Sequence, residues 1–299
     1  MVQLALLVPG GRGQLGSDLA VLGPRHGTVW APNSAELNIA DEAAVRRAVA
    51  ALVAGAADRR PVVINAAGYT AVDAAESDVG RAHAANALGP GLLARACVEH
   101  GVSLLHVSTD YVFPGDGSRP YEPDDRTGPA SVYGRTKLAG ESAVLESGAD
   151  AWVVRTAWVY GAAGGNFVKT VARLERSRDT LSVVDDQRGS PTWSADLAAG
   201  LLELATAVGD GRGPAQRALH ATNGGETTWF GLARAVFEEL GADPERVHPC
   251  TTAEYPRPAP RPAYSVLSDA AWRKAGLAPL PHWRDALATF ATEHTDVLR

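Results

Sequence analysis

The chain has 299 residues, 45% of them hydrophobic and 21% charged, a balance typical of a soluble globular protein with one large domain or two of ordinary size. The net charge of −6 argues against a nucleic-acid surface, and no stretch comes near the run of about 20 apolar residues that spans a bilayer. Two cysteines are too few for a disulfide framework or a zinc site, and the first residues lack the basic start of a signal peptide, so we expect a cytoplasmic protein.

Short apolar runs alternate with helical patterns through the first half of the chain. Strands are predicted at residues 4–8, 28–30, 62–65, 103–108 and 152–156. Helices are predicted at residues 14–22, 41–52 and 82–100 and around Tyr133, with Asp41 as an N-cap. Strands that alternate with helices indicate an α/β fold, a Rossmann-like doubly wound parallel sheet with right-handed crossovers.

The alternation becomes less regular beyond residue 160. A strand is predicted at residues 181–184 and helices at 195–208 and 229–240, whereas the polar segment 116–128 is expected to be an exposed loop. Segment 255–262 repeats proline, which excludes helix and central strand, so it is expected to wrap over a surface or to line a site. We therefore predict a nucleotide-binding domain over residues 1–160 and a smaller α/β substrate domain mainly over 161–299, with later segments free to interleave.

A glycine-rich turn follows the first predicted strand and opens the first predicted helix. Gly10, Gly13 and Gly16 form a G-x-x-G-x-x-G pattern. Glycines there let the backbone approach a pyrophosphate, while the helix N-terminus supplies amide donors and the positive end of a dipole. The alternative is a glycine-rich turn without a ligand, and the position between strand and helix favours a dinucleotide cradle.

The end of the second predicted strand has no acidic residue to bind the ribose hydroxyls of NAD. Arg12, inside the glycine turn, can reach a 2′-phosphate or can simply be exposed to solvent. We therefore expect NADPH as the cofactor, with NADH tolerated.

The second chemical signal is a Tyr-x-x-x-Lys at Tyr133 and Lys137. Residues four apart share one face of a helix, so the phenol and the ammonium converge, and the cation is expected to lower the pKa of the phenol. Alone the pattern also fits a surface Tyr and Lys. Ser108, Thr109 and Asp110 follow the strand that should end beside the nicotinamide, where a hydroxyl can orient a substrate oxygen. No histidine is predicted to be catalytic, and His106 is expected to be a satisfied core residue.

Together these motifs resemble the extended short-chain dehydrogenase/reductase family, and more narrowly its reductases of dTDP-4-dehydrorhamnose. The resemblance continues through residues 65–73, 85–88, 108–113 and 132–141, then through 155–161, 166–168, 184–192 and 265–267. It implies a Rossmann cofactor domain, a smaller substrate domain, a dTDP-sugar as substrate, and reduction of its C4 keto group. It implies a monomer or a homodimer, and it leaves a Mg2+ requirement open.

The resemblance also implies which residues form the site. The implied catalytic set is Thr109, Tyr133 and Lys137. The implied cofactor contacts are Gly10, Arg12, Gly13, Gln14, Leu15, Gly16, Asn38, Ile39, Asn65, Ala66, Ala67, Tyr69, Tyr133 and Lys137. The implied substrate contacts are Thr70, Val72, Asp73, Thr109, Asp110, Tyr111, Trp158 and Asn166. No metal ligands are predicted.

Four positions depart from the family pattern, namely Pro9, Asn38, Ala74 and Tyr264. None removes a catalytic group. Two alternatives stay open at this point. A nucleotide-sugar dehydratase or epimerase is one, although dehydratases of this kind carry an acid pair after the Ser-Thr and here Tyr111 follows Asp110. A non-catalytic cofactor-binding subunit, like the regulatory subunit of methionine adenosyltransferase, is the other.

Overall fold

A six-stranded parallel sheet forms the centre of the computed structural model, which describes residues 2–298. Its strands are, in chain order, β1 (Leu4–Leu7), β2 (Gly27–Trp30), β3 (Arg60–Asn65), β4 (Ser103–Thr109), β5 (Ala151–Thr156) and, much later in the chain, Ala218–His220. The spatial order places the late strand at one edge beside β5, followed by β4, β3, β1 and β2. The predicted doubly wound parallel sheet is confirmed.

Shorter strands pair outside this sheet. They are β6 (Val159–Tyr160), β7 (Leu181–Val184), β8 (Arg188–Gly189), β9 (Thr192–Trp193), β11 (Thr227–Thr228) and β12 (Val247–Cys250), with β10 being the edge strand Ala218–His220. β6 pairs with β9 and β7 with β12, both in parallel, whereas β8 and β11 are antiparallel.

Helices cover both faces of the sheet and build the region after β6. They are α1 (Gln14–Leu22), α2 (Glu42–Gly55), α3 (Val72–Ala75), α4 (Val79–His83), α5 (Gly89–His100), α6 (Val132–Leu145), α7 (Phe167–Glu175), α8 (Ser194–Gly209), α9 (Trp229–Glu239), α10 (Ala270–Lys274), α11 (Trp283–Glu293) and α12 (Thr295–Leu298). Asp41 caps α2 as predicted, because its carboxylate accepts from the Ala44 amide at 3.0 Å. No helix within residues 2–298 is long and apolar enough to cross a membrane.

Two apolar clusters hold the helices on the sheet, one on each face. The first joins α1 and α8 to the sheet through side chains such as Leu19 and Leu201, and the second joins α2 and α5 through Val49 and Leu93. All four side chains are fully buried. A third cluster packs α7, α9 and α11 together beyond the strand ends, with Phe290 completely buried among them. The region after β6 therefore has a core of its own.

The helix predicted over residues 82–100 differs from the observed structure. The chain forms α4, then a π-helical turn over Ala84–Leu88, then α5. Apolar periodicity is the same for one long helix and for two helices joined by a widened turn, so the pattern did not reveal the break.

Segment 116–128 is mostly exposed or half-buried, as predicted, but Tyr121 and Pro123 within it are buried. Tyr121 is only 7% exposed and stacks on Phe113, with 4.4 Å between ring centroids. Its amide donates to the Val266 carbonyl at 2.9 Å. The proline-rich segment wraps over the surface as expected, and Arg257 and Arg261 both pair with Asp73 of α3.

Candidate active site

A cleft of about 720 Å³ opens where the carboxyl ends of β1, β3, β4 and β5 meet the α7 and α9 region. This volume lies within the range of roughly 300–1,000 Å³ usual for small-molecule sites. In a doubly wound sheet, ligands bind at this edge. The cleft is therefore the candidate site.

The glycine turn forms one end of the cleft. Gly10 has φ +86°, and a Cβ there would lie 2.8 Å from the backbone N and Cα of Ala67. The turn thus lies directly against the residues that follow β3, and only glycine allows that approach. α1 begins at Gln14 immediately after Gly13, so its N-terminus faces the same end of the cleft.

Most of the predicted site residues line this cleft. They are Gly10, Arg12, Gly13, Gln14, Leu15, Ala66, Ala67, Thr70, Val72, Thr109, Asp110, Tyr111, Tyr133, Lys137, Trp158 and Asn166. Arg12 is exposed, beside Asn33 and Ser34 on the same wall. Gln14 accepts a hydrogen bond from the Asn166 side chain at 3.0 Å, which connects the glycine turn to the start of α7.

Six predicted contacts lie outside the lining of the cleft. Gly16 packs against the Gly10 carbonyl, and Ile39 is buried in the core against Gly89. Asn38 is exposed, and its side chain accepts from the Ala40 amide at 3.0 Å. None of these three side chains lines the cleft.

The other three are Asn65, Tyr69 and Asp73. The Asn65 side chain is buried, bonding the Ala67 amide at 3.1 Å, while the Tyr69 amide donates to Asn86 at 2.8 Å. Asp73 accepts from Arg257 at 2.6 Å and from the Ala259 amide at 3.2 Å. Its carboxylate is occupied by the proline-rich segment.

Thr109, Tyr133 and Lys137 converge on the cleft because of where two elements begin and end. β4 ends at Thr109, whose hydroxyl donates to Asp110 at 2.9 Å and accepts from the Tyr111 amide at 3.3 Å. α6 begins just before Tyr133, with Ser131 as an N-cap that accepts from the Gly134 amide at 3.1 Å. Lys137 follows one turn later on the same face.

The pKa of Tyr133 differs from the prediction. Burial raises it to about 12, the Asp110 charge adds to that effect, and a hydrogen bond with Thr109 opposes it. The expectation that Lys137 lowers this pKa is wrong for this geometry, because desolvation dominates. The Lys137 ammonium donates instead to the Val107 carbonyl at 2.6 Å.

Lys137 and Asp110 are themselves shifted by burial. Desolvation lowers the pKa of Lys137 to about 8, and the Glu141 carboxylate opposes it. Desolvation raises the pKa of Asp110 to about 6, against the hydrogen bond that the Thr109 hydroxyl donates to its carboxylate. His106 is fully buried, and burial together with the Lys137 charge lowers its pKa well below the usual value. It is less satisfied than expected: its Nδ1 pairs with Asn65, while its Nε2 has no partner within residues 2–298.

Asn86 lines the cleft although no role was predicted for it. It lies in the π-helical turn, donates to the Tyr69 carbonyl at 3.0 Å and to the Thr136 hydroxyl at 3.2 Å. Its side chain thereby joins the loop after β3 to helix α6. Asn86 lies within residues 85–88, which carry part of the family resemblance, and π-turns concentrate at functional sites.

Aromatic rings form the far wall of the cleft. Trp158 and Trp229 stack with 3.6 Å between ring centroids and 7° between planes, and Phe167 tilts against Trp229 at 4.7 Å. Trp158 has φ +47°, an uncommon conformation for a bulky residue. Trp229 and Phe167 were not predicted, because aromatic residues at helix starts are usual core positions.

Among the described residues, no three His, Cys, Asp or Glu side chains are grouped as a metal site would require. The polar groups that line the cleft include a phenol, a hydroxyl and an ammonium, a set that can hold a carbonyl oxygen and give it a proton.

Known proteins resemble this chain over nearly its whole length. The family profile described as the RmlD substrate binding domain matches residues 4–295. A protein of Streptomyces griseus named dTDP-4-dehydrorhamnose reductase is 54% identical over 284 residues, covering 94% of this chain and 91% of that protein. One of the same name from Mycobacterium tuberculosis (strain CDC 1551 / Oshkosh) is 52% identical over 290 residues, covering 95% of this chain and 91% of that protein.

A solved structure has the same architecture. The crystal structure of dTDP-4-dehydrorhamnose reductase from Bacillus anthracis str. Ames, in complex with NADP, superposes with a TM-score of 0.90 at 33% identity. The match covers 98% of this chain and 100% of that one.

Proposed function

This chain belongs to the RmlD substrate binding domain family, within the extended short-chain dehydrogenases/reductases, and from that membership we propose that it reduces dTDP-4-dehydrorhamnose to dTDP-L-rhamnose with NADPH. The group reduced is the C4 keto group of the 4-dehydro-6-deoxy-L-mannose unit. The relatives from Streptomyces griseus and Mycobacterium tuberculosis carry the name of this activity.

One observation carries the proposal. Thr109, Tyr133 and Lys137 line the same cleft as the glycine turn at Gly10 and Gly13. A proton donor, a hydroxyl that orients an oxygen, and a dinucleotide cradle are the parts that reduction of a carbonyl needs.

The cleft fits a nicotinamide dinucleotide. The Gly10 backbone approaches Ala67 where a Cβ would collide, so that the turn and the N-terminus of α1 present amides to a pyrophosphate. NADPH, when bound, supplies the hydride for the carbonyl carbon. Lys137 is proposed to bind the hydroxyls of its nicotinamide ribose, and Arg12 its 2′-phosphate.

NADPH is proposed over NADH, which the site tolerates. Arg12 is exposed on the cleft wall, and β2 ends at Trp30 without an acid to select for free ribose hydroxyls. The NADP in the Bacillus anthracis structure supports the same choice.

Tyr133 is proposed to give the proton to the C4 oxygen. Because burial raises its pKa to about 12, the phenol keeps its proton at neutral pH and acts as an acid, which is the role that reduction requires. Thr109, whose hydroxyl contacts both Tyr133 and Asp110, orients that oxygen. Trp158 packs against the deoxysugar, and Tyr111 completes the wall.

The substrate is present where nucleotide sugars and NADPH are made, so a cytoplasmic location is part of the proposal. Cys97 and Cys250 are both free thiols, which fits a reducing compartment. A monomer or a homodimer is proposed for the assembly.

The test is NADPH oxidation by the purified protein with dTDP-4-dehydrorhamnose, followed by identification of the product. We expect dTDP-L-rhamnose to form in equal amount to the NADPH consumed. Binding of NADPH without turnover of this or another 4-keto sugar would instead identify a non-catalytic cofactor-binding subunit. Formation of the C4 epimer would identify a different reductase.

A further inference from the structure

A buried ion pair lies directly behind the catalytic helix. The Arg155 guanidinium donates to both carboxylate oxygens of Glu141, at 3.0 Å and 3.2 Å from Nε and at 2.7 Å from Nη2. The side chains are only 6% and 2% exposed. Short, multiple charge-assisted bonds of this kind fix the orientation of a carboxylate.

Arg155 is fixed in turn by contacts on its other sides. Its Nη1 donates to the Pro123 carbonyl at 2.9 Å, and its guanidinium lies 5.0 Å from the centroid of the Phe113 ring. The His220 ring is 3.5 Å from the same nitrogen and stays neutral, since burial and the Arg155 charge lower its pKa to about 3. Arg155 is therefore a rigid clamp for Glu141.

Glu141 lies one helical turn after Lys137, so both side chains occupy the same face of α6. Lys137 is also buried, at 5% exposure, and its ammonium bonds only an uncharged carbonyl, that of Val107. Two buried cations, Arg155 and Lys137, thus have the single Glu141 carboxylate as a nearby counter-charge, and a buried ammonium without a counter-charge is strongly disfavoured.

Within residues 2–298, no carboxylate forms a direct ion pair with Lys137, and Glu141 is the anion that acts on its charge. His106, on β4, is a neutral neighbour, and Asp110 engages the Thr109 hydroxyl. The other charged or titratable groups on α6 and on the helices packed against it are exposed or already paired: Asp73, Arg81, His83, Arg95, Glu99, His100 and Arg135.

We propose that Glu141, clamped by Arg155, is a positioning residue for the reaction, whose buried carboxylate keeps Lys137 cationic and oriented toward the cofactor side of the cleft. A buried ion pair is weak evidence for stability, since apolar side chains of similar volume often serve as well. A counter-charge for a catalytic ammonium is a role that apolar residues cannot fill. The inference rests on the proposed function, because that assigns Lys137 to the cofactor.

The pH dependence of NADPH binding is the observable. Burial lowers the pKa of Lys137 to about 8, and the Glu141 carboxylate keeps it from falling further. The charged form therefore prevails below pH 8 and is lost above it, so affinity for NADPH should fall as pH rises through that value. Loss of an opposite charge within a turn shifts a pKa by about one unit or more. Without the Glu141 carboxylate, the fall should begin at least about one pH unit lower.

The experiment compares Glu141→Gln with the double variant Glu141→Gln/Arg155→Met, and uses Glu146→Gln as a matched control at an exposed position near the end of the same helix. The double variant removes both charges and so leaves no unpaired cation if the single variant fails to fold. NADPH affinity is titrated by fluorescence from pH 6 to pH 10, with thermal melting to establish folding and kcat where turnover is present.

We expect the affinity of both Glu141 variants to fall at lower pH than wild type, and that of the control to follow wild type. A folded double variant whose affinity falls at the wild-type pH overturns the proposal. Failure of the proposed function is separate: wild type would then bind NADPH with the same pH dependence and not oxidise it with the keto sugar.

Discussion

Replacing Tyr133 by Phe isolates the proton that the proposed mechanism requires. The ring is buried and meets Tyr111 edge to face, with 5.4 Å between centroids and 76° between planes, and all of this packing remains in the variant. Only the phenol oxygen is lost, which costs at most about 1 kcal/mol of folding free energy. A small change in melting temperature is therefore expected.

The effect on the rate should be far larger. Loss of a positioned general acid costs about 10²–10⁴-fold, which corresponds to about 2.7–5.5 kcal/mol in the activation barrier. Neither neighbour replaces it, since the Thr109 hydroxyl donates to Asp110 and the Lys137 ammonium to Val107. We expect kcat to fall by this factor and the affinity for NADPH to stay within about twofold of wild type.

Tyr111→Phe is the matched control, because it removes the same atom from the adjacent ring of the same cleft. Its kcat should stay near wild type, with any change confined to KM for the keto sugar. Steady-state kinetics with a deuterated nicotinamide would establish whether hydride transfer limits turnover. If hydride transfer limits turnover, as a full deuterium isotope effect on kcat would show, a Tyr133→Phe enzyme with near-wild-type kcat would refute the assignment of Tyr133 as the proton donor.

Three further outcomes are expected. Trp158→Ala removes the stack on Trp229 and should raise KM for the keto sugar about tenfold with little effect on NADPH, so a folded variant with unchanged KM contradicts a sugar contact. Arg12→Ala should weaken NADPH binding about tenfold and leave NADH binding unchanged in parallel titrations, and equal losses for both would refute a 2′-phosphate contact. Asp110→Asn should raise the free energy of unfolding by up to about 3 kcal/mol at pH 8 and by little at pH 4. Burial raises the pKa of Asp110 from 3.8 to about 6, so the buried carboxylate destabilises the folded state above pH 6. This destabilisation disappears as the pH falls and the carboxylate takes up a proton. Denaturant titrations of wild type and Asp110→Asn at both pH values check this prediction. A stability difference between the two proteins that does not change with pH would contradict it.

Much of the fold follows from local sequence. The predicted strand at residues 181–184 and helix at 14–22 match β7 and α1, because apolar runs with clear turn and cap signals leave few alternatives. Segment 116–128 was read as exposed from its Gly, Pro and charged residues. Most of it is exposed, but the burial of Tyr121 depends on Phe113 and Val266, partners that local composition does not reveal.

In the candidate site, too, local spacing predicted some features, whereas others depend on distant parts of the chain. Spacing alone brought Tyr133 and Lys137 to one helix face, and position after β4 brought Thr109 beside them. The pKa of Tyr133 was mispredicted because it depends on how completely the surrounding chain excludes water, which no pair spacing contains. Asp73 was expected at the substrate, but two arginines almost two hundred residues later in the chain occupy its carboxylate.

The late edge strand β10 has a consequence for how the protein is made. β5 ends at Thr156, and its neighbour Ala218–His220 is synthesised more than sixty residues later. A ribosome adding roughly 5–20 residues per second needs several seconds for that interval. During it, the edge of β5 and the sheet face later covered by α8 remain open to other chains. The nascent nucleotide-binding half therefore passes through an aggregation-sensitive stage, and slowing translation between residues 160 and 220 should lower the yield of folded protein.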